Sequence, residues 1–387
     1  MRKKFNVSKP FLGNEELKNL KKIIKSGWIT FGPETKNLED KVKKKIKTKH
    51  AIAVNSCTSG IIAALIAKGA KPGDEVVTPA NTFVGVIHSL FNLKLRIKLC
   101  DINRLTLSSD FNNIVKCCTN KTKFIIPMHF GGTPTDLKRI INFGKKKKIK
   151  IIDDAATAFG AKIYNKYIGS FEDTTTVFSL HANKIITSGE GGIICTQSDT
   201  EASLIRKVIN SGLYINSWKR HNEKKFSYVN SVLPGYKFNF NDILASIATV
   251  QFQKLNSILR TRKKLYERYI YNLKKLINSK KIYVPLIKAN SQSTYYCFQI
   301  IFNLNKVKIK NKLAEFLLKN GVQTSVYYTP AHKHLFYEKK FEKFNKNLPN
   351  TNFVFDNALA LPLHNNLNIK DINFISELIL KFFKNEE

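Results

Sequence analysis

Seven short runs rich in β-branched and aliphatic residues recur along the first half of the chain: AIAV (51–54), EVVTP (75–79), LRIKLCD (95–101), KFIIP (123–127), IKIID (149–153), TTVFSL (175–180) and GGIICT (191–196). Each is four to seven residues long, and segments of helical length separate most of them. Continuous apolar strands of this kind are buried on both faces, and strands alternating with helices define a largely parallel sheet sandwiched between helix layers. The fold class expected is therefore α/β. In such folds ligands bind outside the carboxyl ends of the strands, so the polar residues that follow these runs are the first candidates for function.

Around this sheet the sequence predicts a first helix with Asn14 as its cap, Glu15 and Glu16 in its first turn, Leu17, Leu20, Ile23 and Ile24 on one face, and Gly27 at its end. After about residue 255 the texture changes. A long basic helix (250–278) precedes a strand (295–302), a helix (308–321), a second strand (322–328) and a closing helix (369–384), with a surface loop at 339–347. This pattern predicts two domains: a large α/β domain over residues 1–255 and a smaller α+β domain over 256–387.

Other classes are excluded by simple counts. The longest uninterrupted apolar stretch, Ile61 to Ala67, is far short of the roughly 20 residues that a membrane-spanning helix needs. The opening MRKKFNVSKPFLG has basic residues with no apolar stretch behind them, so no secretory signal and a cytoplasmic location are expected. The six cysteines have no C-x-x-C spacing, which predicts a reduced, metal-free protein. A net charge of +37, from 65 basic and 28 acidic residues, raises the question of a polyanionic partner. The excess is mostly Lys, distributed over the whole length with abundant Ile, Asn and Phe, a composition that A/T-rich codons produce unaided. Runs such as 41–49 and 145–150 read as solvated faces. No helix-turn-helix, zinc or RNA-recognition signature accompanies the charge, so specific nucleic-acid binding is not expected.

Three segments carry chemistry. In NSCTSGIIAAL (55–65) a strand ends in small polar residues and a helix begins at about Gly60; its free N–H groups with the Thr58 and Ser59 hydroxyls form a phosphate cradle or, equally, an ordinary helix cap. In IIDDAATAFG (151–160) a strand runs into two carboxylates. Asp154, at the strand's carboxyl end, needs a cationic partner to remain ionised, and a protonated pyridine nitrogen would serve; alternatively Asp153 or Asp154 caps the following segment. In FSLHANKIITSGEGG (178–192), Ser179 ends a strand and Lys184 lies between it and a glycine-rich turn, where enclosure would favour the neutral amine that forms a Schiff base. Cradle, aspartate and lysine in this order are the parts of a pyridoxal 5′-phosphate (PLP) site. Phe83, in TPANTFVG, is either a ring-stacking residue or a core phenylalanine.

With these and further segments, GWITFGP (27–33), GDEVVTPANTF (73–83), DDAATAFGA (153–161), LPGYKFNFNDILASIATVQ (233–251), LPNT (348–351) and LPLH (361–364), the sequence resembles the DegT-type sugar aminotransferases over nearly its whole length. Those are PLP enzymes of the aspartate aminotransferase fold (fold type I), and within them the motifs look most like the UDP-4-amino-4-deoxy-L-arabinose aminotransferases. The resemblance implies Lys184 as Schiff-base lysine and proton carrier, and Asp154 as partner of the pyridine nitrogen. It implies Thr58, Ser59 and Ser179 at the phosphate, Phe83 on the ring, Thr157 beside it, and Asn239 reaching the phosphate of a neighbouring subunit in a homodimer. Trp28, Thr30, Tyr327 and His332 become the expected substrate contacts. The implied reaction moves an amino group from L-glutamate, leaving 2-oxoglutarate, to a nucleotide-linked keto sugar such as UDP-4-keto-pentose, for lipopolysaccharide or another glycan; a 4-keto-6-deoxyhexose nucleotide is the alternative acceptor. Two positions depart from the pattern: Thr157 stands where the family usually has Gln or His, and Tyr327 where it commonly has His. Some relatives carry a histidine in place of the lysine and are dehydratases, so the presence of Lys184 favours transamination.

Overall fold

The computed structural model describes residues 4–222, 228–303 and 307–385. Its centre is a seven-stranded sheet made of the seven apolar runs. In chain order the first strands are β1 (His50–Val54), β2 (Glu75–Pro79), β3 (Arg96–Cys100), β4 (Thr122–Ile125) and β5 (Lys150–Asp154). Two short strands follow, β6 (Lys162–Ile163) and β7 (Lys166–Tyr167), and then β8 (Thr174–Ser179) and β9 (Gly192–Thr196) return to the central sheet. The order across the sheet is β1-β9-β8-β5-β4-β2-β3. Six strands share one direction; β9 alone is antiparallel, paired with β1 on one side and β8 on the other. Parallel neighbours require helical crossovers, which explains the helix-length spacing in the sequence.

Successive side chains of a strand alternate between faces, and both faces are apolar here. Ala51, Ala53, Val77, Ile125, Ile151, Phe178 and Ile193 meet Leu38, Val42 and Ile46 of the helix Pro33–Ile46, Leu137 and Ile140 of Leu137–Lys147, and Ala245 and Ala248 of Asp242–Gln253. On the opposite face Ile52, Val54, Val76, Phe124, Ile152, Val177 and Ile194 meet Ile61 and Leu65 of Cys57–Ala67, Leu90 of Val84–Asn92 and Ile205 of Asp199–Ile209. Gly60 lets the helix Cys57–Ala67 lie close to β8, since a Cβ there would sit 2.6 Å from a Val177 methyl.

A second, antiparallel sheet is formed by β10 (Ile282–Tyr283), β12 (Phe298–Phe302) and β13 (Ala358–Leu361), while β11 (Ser291–Gln292) pairs with β6. The helices Leu255–Asn272, Val307–Lys319 and Ile369–Asn385 contribute Tyr269, Leu313, Ile375 and Ile379 to its core. Phe5 joins this same core, its backbone bonded to Gly321 and Gln323.

Several local expectations are corrected. The first helix is capped at Gly13, with the Glu16 carboxylate accepting the Gly13 N–H at 2.8 Å, so Asn14 is already inside it. The helix after β1 starts at Cys57, not Gly60, because Ser56 caps it. The expected helix 250–278 is three helices, Asp242–Gln253, Leu255–Asn272 and Lys274–Asn278. Residues 322–328 are not a strand: Val322 and Ser325 make only isolated bridges, to Phe5 and Ala360. The expected loop 339–347 is helical, α over Glu338–Phe341 and 3₁₀ over Glu342–Asn347.

Candidate active site

The carboxyl ends of β1, β5 and β8 and the start of β9 converge, because β9 runs against its neighbours. At the end of β1, the Ser56 hydroxyl accepts the Ser59 N–H at 3.0 Å and lies 2.8 Å from the Ser59 hydroxyl. The first helical N–H groups, those of Cys57 and Thr58, have no intrahelical acceptor by the geometry of any helix start. They point at the anion-favouring end of the helix dipole. The cap is thus made by Ser56, and the N–H groups of Cys57 and Thr58 face the cavity end of the helix.

At the end of β5, alternation sends the two carboxylates in opposite directions. Asp153 is fully buried against His129, whose Nε2 lies 3.0 Å from Asp153 Oδ2. Because His129 Nδ1 accepts the Thr135 N–H at 2.9 Å, Nε2 carries the hydrogen that faces Asp153. Asp154 turns to the cavity, only 2% exposed, with Oδ1 accepting the Ala156 N–H at 3.1 Å. Burial, partly offset by that hydrogen bond and by the charge of Lys184, pushes its carboxyl up from 3.8 to about 6.

Lys184 lies on the connection between β8 and β9. This connection is tied to itself: Leu180 N–H donates to Gly191 O at 2.8 Å, Ser188 N–H to Leu180 O at 3.0 Å, and Lys184 N–H to His181 O at 2.9 Å. Burial pulls the Lys184 ammonium below its ordinary value, against the opposing influence of Cys57, Asp154 and Cys297. Its Nζ is 5.0 Å from the centroid of the Tyr296 ring.

These groups border one cavity of about 330 Å³, whose wall includes Ser56, Cys57, Thr58, Phe83, Asp154, Ser179, Lys184 and Tyr328. Phe83 is 53% exposed and edge-on to Tyr328, with centroids 6.2 Å apart, so it is not a core residue. Ser179 accepts the His181 N–H on its Oγ at 3.2 Å, which leaves its own hydroxyl hydrogen available.

Other expected residues do not line the cavity. Ser59 is engaged by Ser56 behind the cradle. Thr157 is 1% exposed, its hydroxyl donating to His129 O at 2.7 Å and accepting the Gly132 N–H at 3.1 Å. Asn239 donates through Nδ2 to Asn210 Oδ1 at 2.9 Å. Trp28 Nε1 donates to Phe31 O at 3.0 Å, and Thr30 O accepts the Asp242 N–H at 3.0 Å. Tyr327 packs behind Tyr328, with centroids 5.5 Å apart, and His332 is buried with Nε2 2.8 Å from Asn352 Oδ1. Sequence reasoning missed Cys57, Met128, His181, Asn183, Tyr296 and Tyr328; the one available signal was the second tyrosine of VYYTPAH, next to the residue chosen.

The residues present fit PLP. A buried carboxylate whose ionisation is opposed by burial suits a cationic ring nitrogen, and the enclosed amine suits an aldehyde. The helix start with the Thr58 and Ser179 hydroxyls suits a phosphate. Backbone closeness shapes that end: a Cβ at Gly192 would meet Cys57 N at 2.8 Å, and one at Gly85 would meet Thr58 Oγ1 at 2.7 Å. Among the described residues no cluster of His, Cys, Asp and Glu could hold a metal ion, and no helix is long and apolar enough to cross a membrane.

A doubly covered sheet in this strand order, with a lysine and an aspartate brought together before an anion-binding helix start, defines the PLP-dependent enzymes of fold type I. The family within that class follows from the sequence itself: residues 10–379 match the DegT/DnrJ/EryC1/StrS aminotransferase family, and the chain belongs to it as a sugar aminotransferase. An uncharacterized protein of Methanocaldococcus jannaschii, MJ1066, is 33% identical over 368 residues, 94% of either chain. The spore coat polysaccharide biosynthesis protein SpsC of Bacillus subtilis is 28% identical and covers 97% of this chain and 96% of its own. Among solved structures, the PMP-form of the Streptococcus pneumoniae protein Spr1654, described as a sugar aminotransferase, superposes with a TM-score of 0.90 at 25% identity, covering 98% of this chain and 99% of that one.

Proposed function

We propose that this aminotransferase moves the amino group of L-glutamate to the keto carbon of a nucleotide-linked sugar, with UDP-4-keto-pentose as the first candidate acceptor. The observation that carries the reading is the meeting of Lys184, Asp154 and the Cys57–Thr58 helix start around one cavity. When bound, PLP supplies an electron sink and carries the amino group between donor and acceptor. Thr58 and Ser179 hold the phosphate with the two free N–H groups. Asp154, charged against a cationic ring nitrogen, keeps that nitrogen protonated. Lys184 is the general base that removes the proton from the donor's α-carbon; in the second half-reaction it moves the proton of the sugar carbon. Burial prepares it for this role by favouring the neutral amine. Phe83 and Tyr328 flank the cavity on its aromatic side.

The nucleotide half of the acceptor is supported by the large basic excess, which favours a diphosphate. A role in glycan assembly is supported by the likeness to SpsC. The working form is a cytoplasmic homodimer: Leu17, Ile24 and Ile29 leave large apolar side chains exposed on and beside the first helix, an area suited to a second copy. Within each copy, residues 1–255 and 256–387 act as the two domains, apart from Phe5, which packs in the core of the second sheet; Asn239 serves the cofactor phosphate of the other copy, and Trp28 and Thr30 are substrate contacts.

The test is a single-turnover spectrum. Purified holoenzyme is treated with excess L-glutamate, freed of the donor and mixed with UDP-4-keto-pentose. Return of the initial visible absorbance with formation of an amino sugar supports the full reading. A spectrum that changes with glutamate and is restored only by a 4-keto-6-deoxyhexose nucleotide moves the acceptor to that class. A sugar product lacking nitrogen overturns transamination in favour of dehydration.

A further inference from the structure

Tyr296 was not among the residues that the sequence singled out, yet its ring lies under the site's amine, with its centroid 5.0 Å from Lys184 Nζ. The ring is 5% exposed. It arrives from outside the large sheet, on the segment that leads into β12, and its placement is fixed by bonds on both sides. The Tyr296 N–H donates to Gly131 O at 3.1 Å, and its carbonyl accepts from Arg262 Nη1 at 3.0 Å. Two residues earlier, the Thr294 N–H donates to Gly132 O at 3.1 Å and the Thr294 hydroxyl to Thr157 O at 2.7 Å. That approach depends on Gly132, where a Cβ would lie 1.8 Å from Thr294 Oγ1. Arg262, itself 4% exposed, also bonds the carbonyls of Tyr295 and Leu363. The segment is thus stitched to the loops that follow β4 and Asp154, and the ring has one place to be. Tyr327 packs against it at a tilt, with centroids 5.8 Å apart.

We propose that Tyr296 is a positioning residue for Lys184, holding its Nζ by a cation–π contact in the pose from which it borders the cavity. An ammonium over an aromatic face is attracted by the ring quadrupole, and the attraction grows where water is excluded. The other titratable groups facing Lys184 are Asp154, Cys57 and Cys297. Burial pushes both thiols up, Cys297 to about 12 and Cys57 well above its usual range, so near neutral pH they bring no charge. Asp154 and the Tyr296 ring are then the groups that favour the ammonium against burial. The inference rests on Lys184 as the working amine of the site.

The experiment measures the titration midpoint of Lys184 in the full-length, cofactor-free chain by competitive amine labelling and peptide mass spectrometry, so it does not depend on turnover. Tyr296→Phe keeps the ring face, and the midpoint is expected within about 0.3 unit of the parent. Tyr296→Leu removes the face and is expected to lower it by about one unit. Phenylalanine analogues with one and three ring fluorines at position 296 keep the shape while draining the quadrupole, so the midpoint falls stepwise along the series even if the leucine variant does not fold. A flat fluorine series, or a shift in Tyr296→Phe as large as in Tyr296→Leu, overturns the proposal. Borohydride reduction of the parent holoenzyme followed by peptide mapping tests Lys184 separately: cofactor found on another lysine would remove the functional reading, whatever the fluorine series gives.

Discussion

Asp154→Asn should make the cofactor-free chain more stable at neutral pH while weakening its hold on the cofactor. The carboxyl is raised in the folded chain from 3.8 to about 6, chiefly by burial. Between those values the native state keeps a proton that the unfolded chain releases. The favourable contribution of the protonated carboxyl is therefore complete below about pH 4 and is lost as the pH rises through about 6. Two units correspond to about 3 kcal/mol. Asparagine has the same shape, can still accept the Ala156 N–H, and does not titrate. Urea unfolding of both cofactor-free proteins from pH 4 to 8 should give curves that nearly coincide at the acid end and separate to about 3 kcal/mol by pH 8, the variant being the more stable. Groups common to both proteins cancel in the difference. Saturating PLP should reverse the order, because only the parent offers the ring nitrogen a counter-charge. A stability difference that does not change with pH would refute the argument that Asp154 is strained by burial and awaits a cation.

Two further perturbations probe the scaffold. Gly192→Ala would bring a Cβ within 2.8 Å of Cys57 N and 2.9 Å of Ser56 backbone atoms, none of which belongs to a flexible side chain; a loss of about 1–3 kcal/mol by calorimetry and about tenfold weaker PLP binding by fluorescence titration are expected, and unchanged binding would separate Gly192 from the phosphate end. Asp242 is 1% exposed and accepts the N–H groups of Gly32, Glu34 and Thr35 at 3.0, 3.1 and 2.9 Å and the Thr35 hydroxyl at 2.7 Å; Asp242→Ala should cost about 3–5 kcal/mol in urea unfolding, and a midpoint that does not move would show those donors satisfied elsewhere.

The central sheet was legible because buried strands have to be apolar on both faces, and each of the seven runs is a strand of it. What periodicity could not supply was partner choice. Residues 322–328 have strand composition but find only single bridges, to Phe5 and Ala360, and those depend on where distant segments end up. Asp242 opens the helix Asp242–Gln253, ahead of the stretch read as helical, yet its carboxylate caps the helix Pro33–Ile46 more than two hundred residues earlier. At the site, the residues named from strand ends, Thr58, Asp154, Ser179 and Lys184, meet at one cavity because strand direction alone sends them there. Thr157 turns away because its hydroxyl is taken by the backbone of His129 and Gly132, a tertiary bond with no sequence signal. Tyr296 and Tyr328 come from late in the chain; Tyr328 stands in VYYTPAH beside Tyr327, whereas no local pattern distinguishes Tyr296 from a core tyrosine.

The connection carrying Lys184 leaves one strand of the large sheet and re-enters the strand beside it, with its two ends bonded to each other through Leu180 and Gly191. Such a segment has no hinge of its own. The amine consequently moves as one body with β8 and β9, together with the helix start that faces it. Tyr328, also on the cavity wall, belongs instead to chain that enters from outside the large sheet. Mechanically, the groups on the strand ends of the large sheet form one rigid wall of the cavity, and Tyr328 is brought to it by a separate part of the chain.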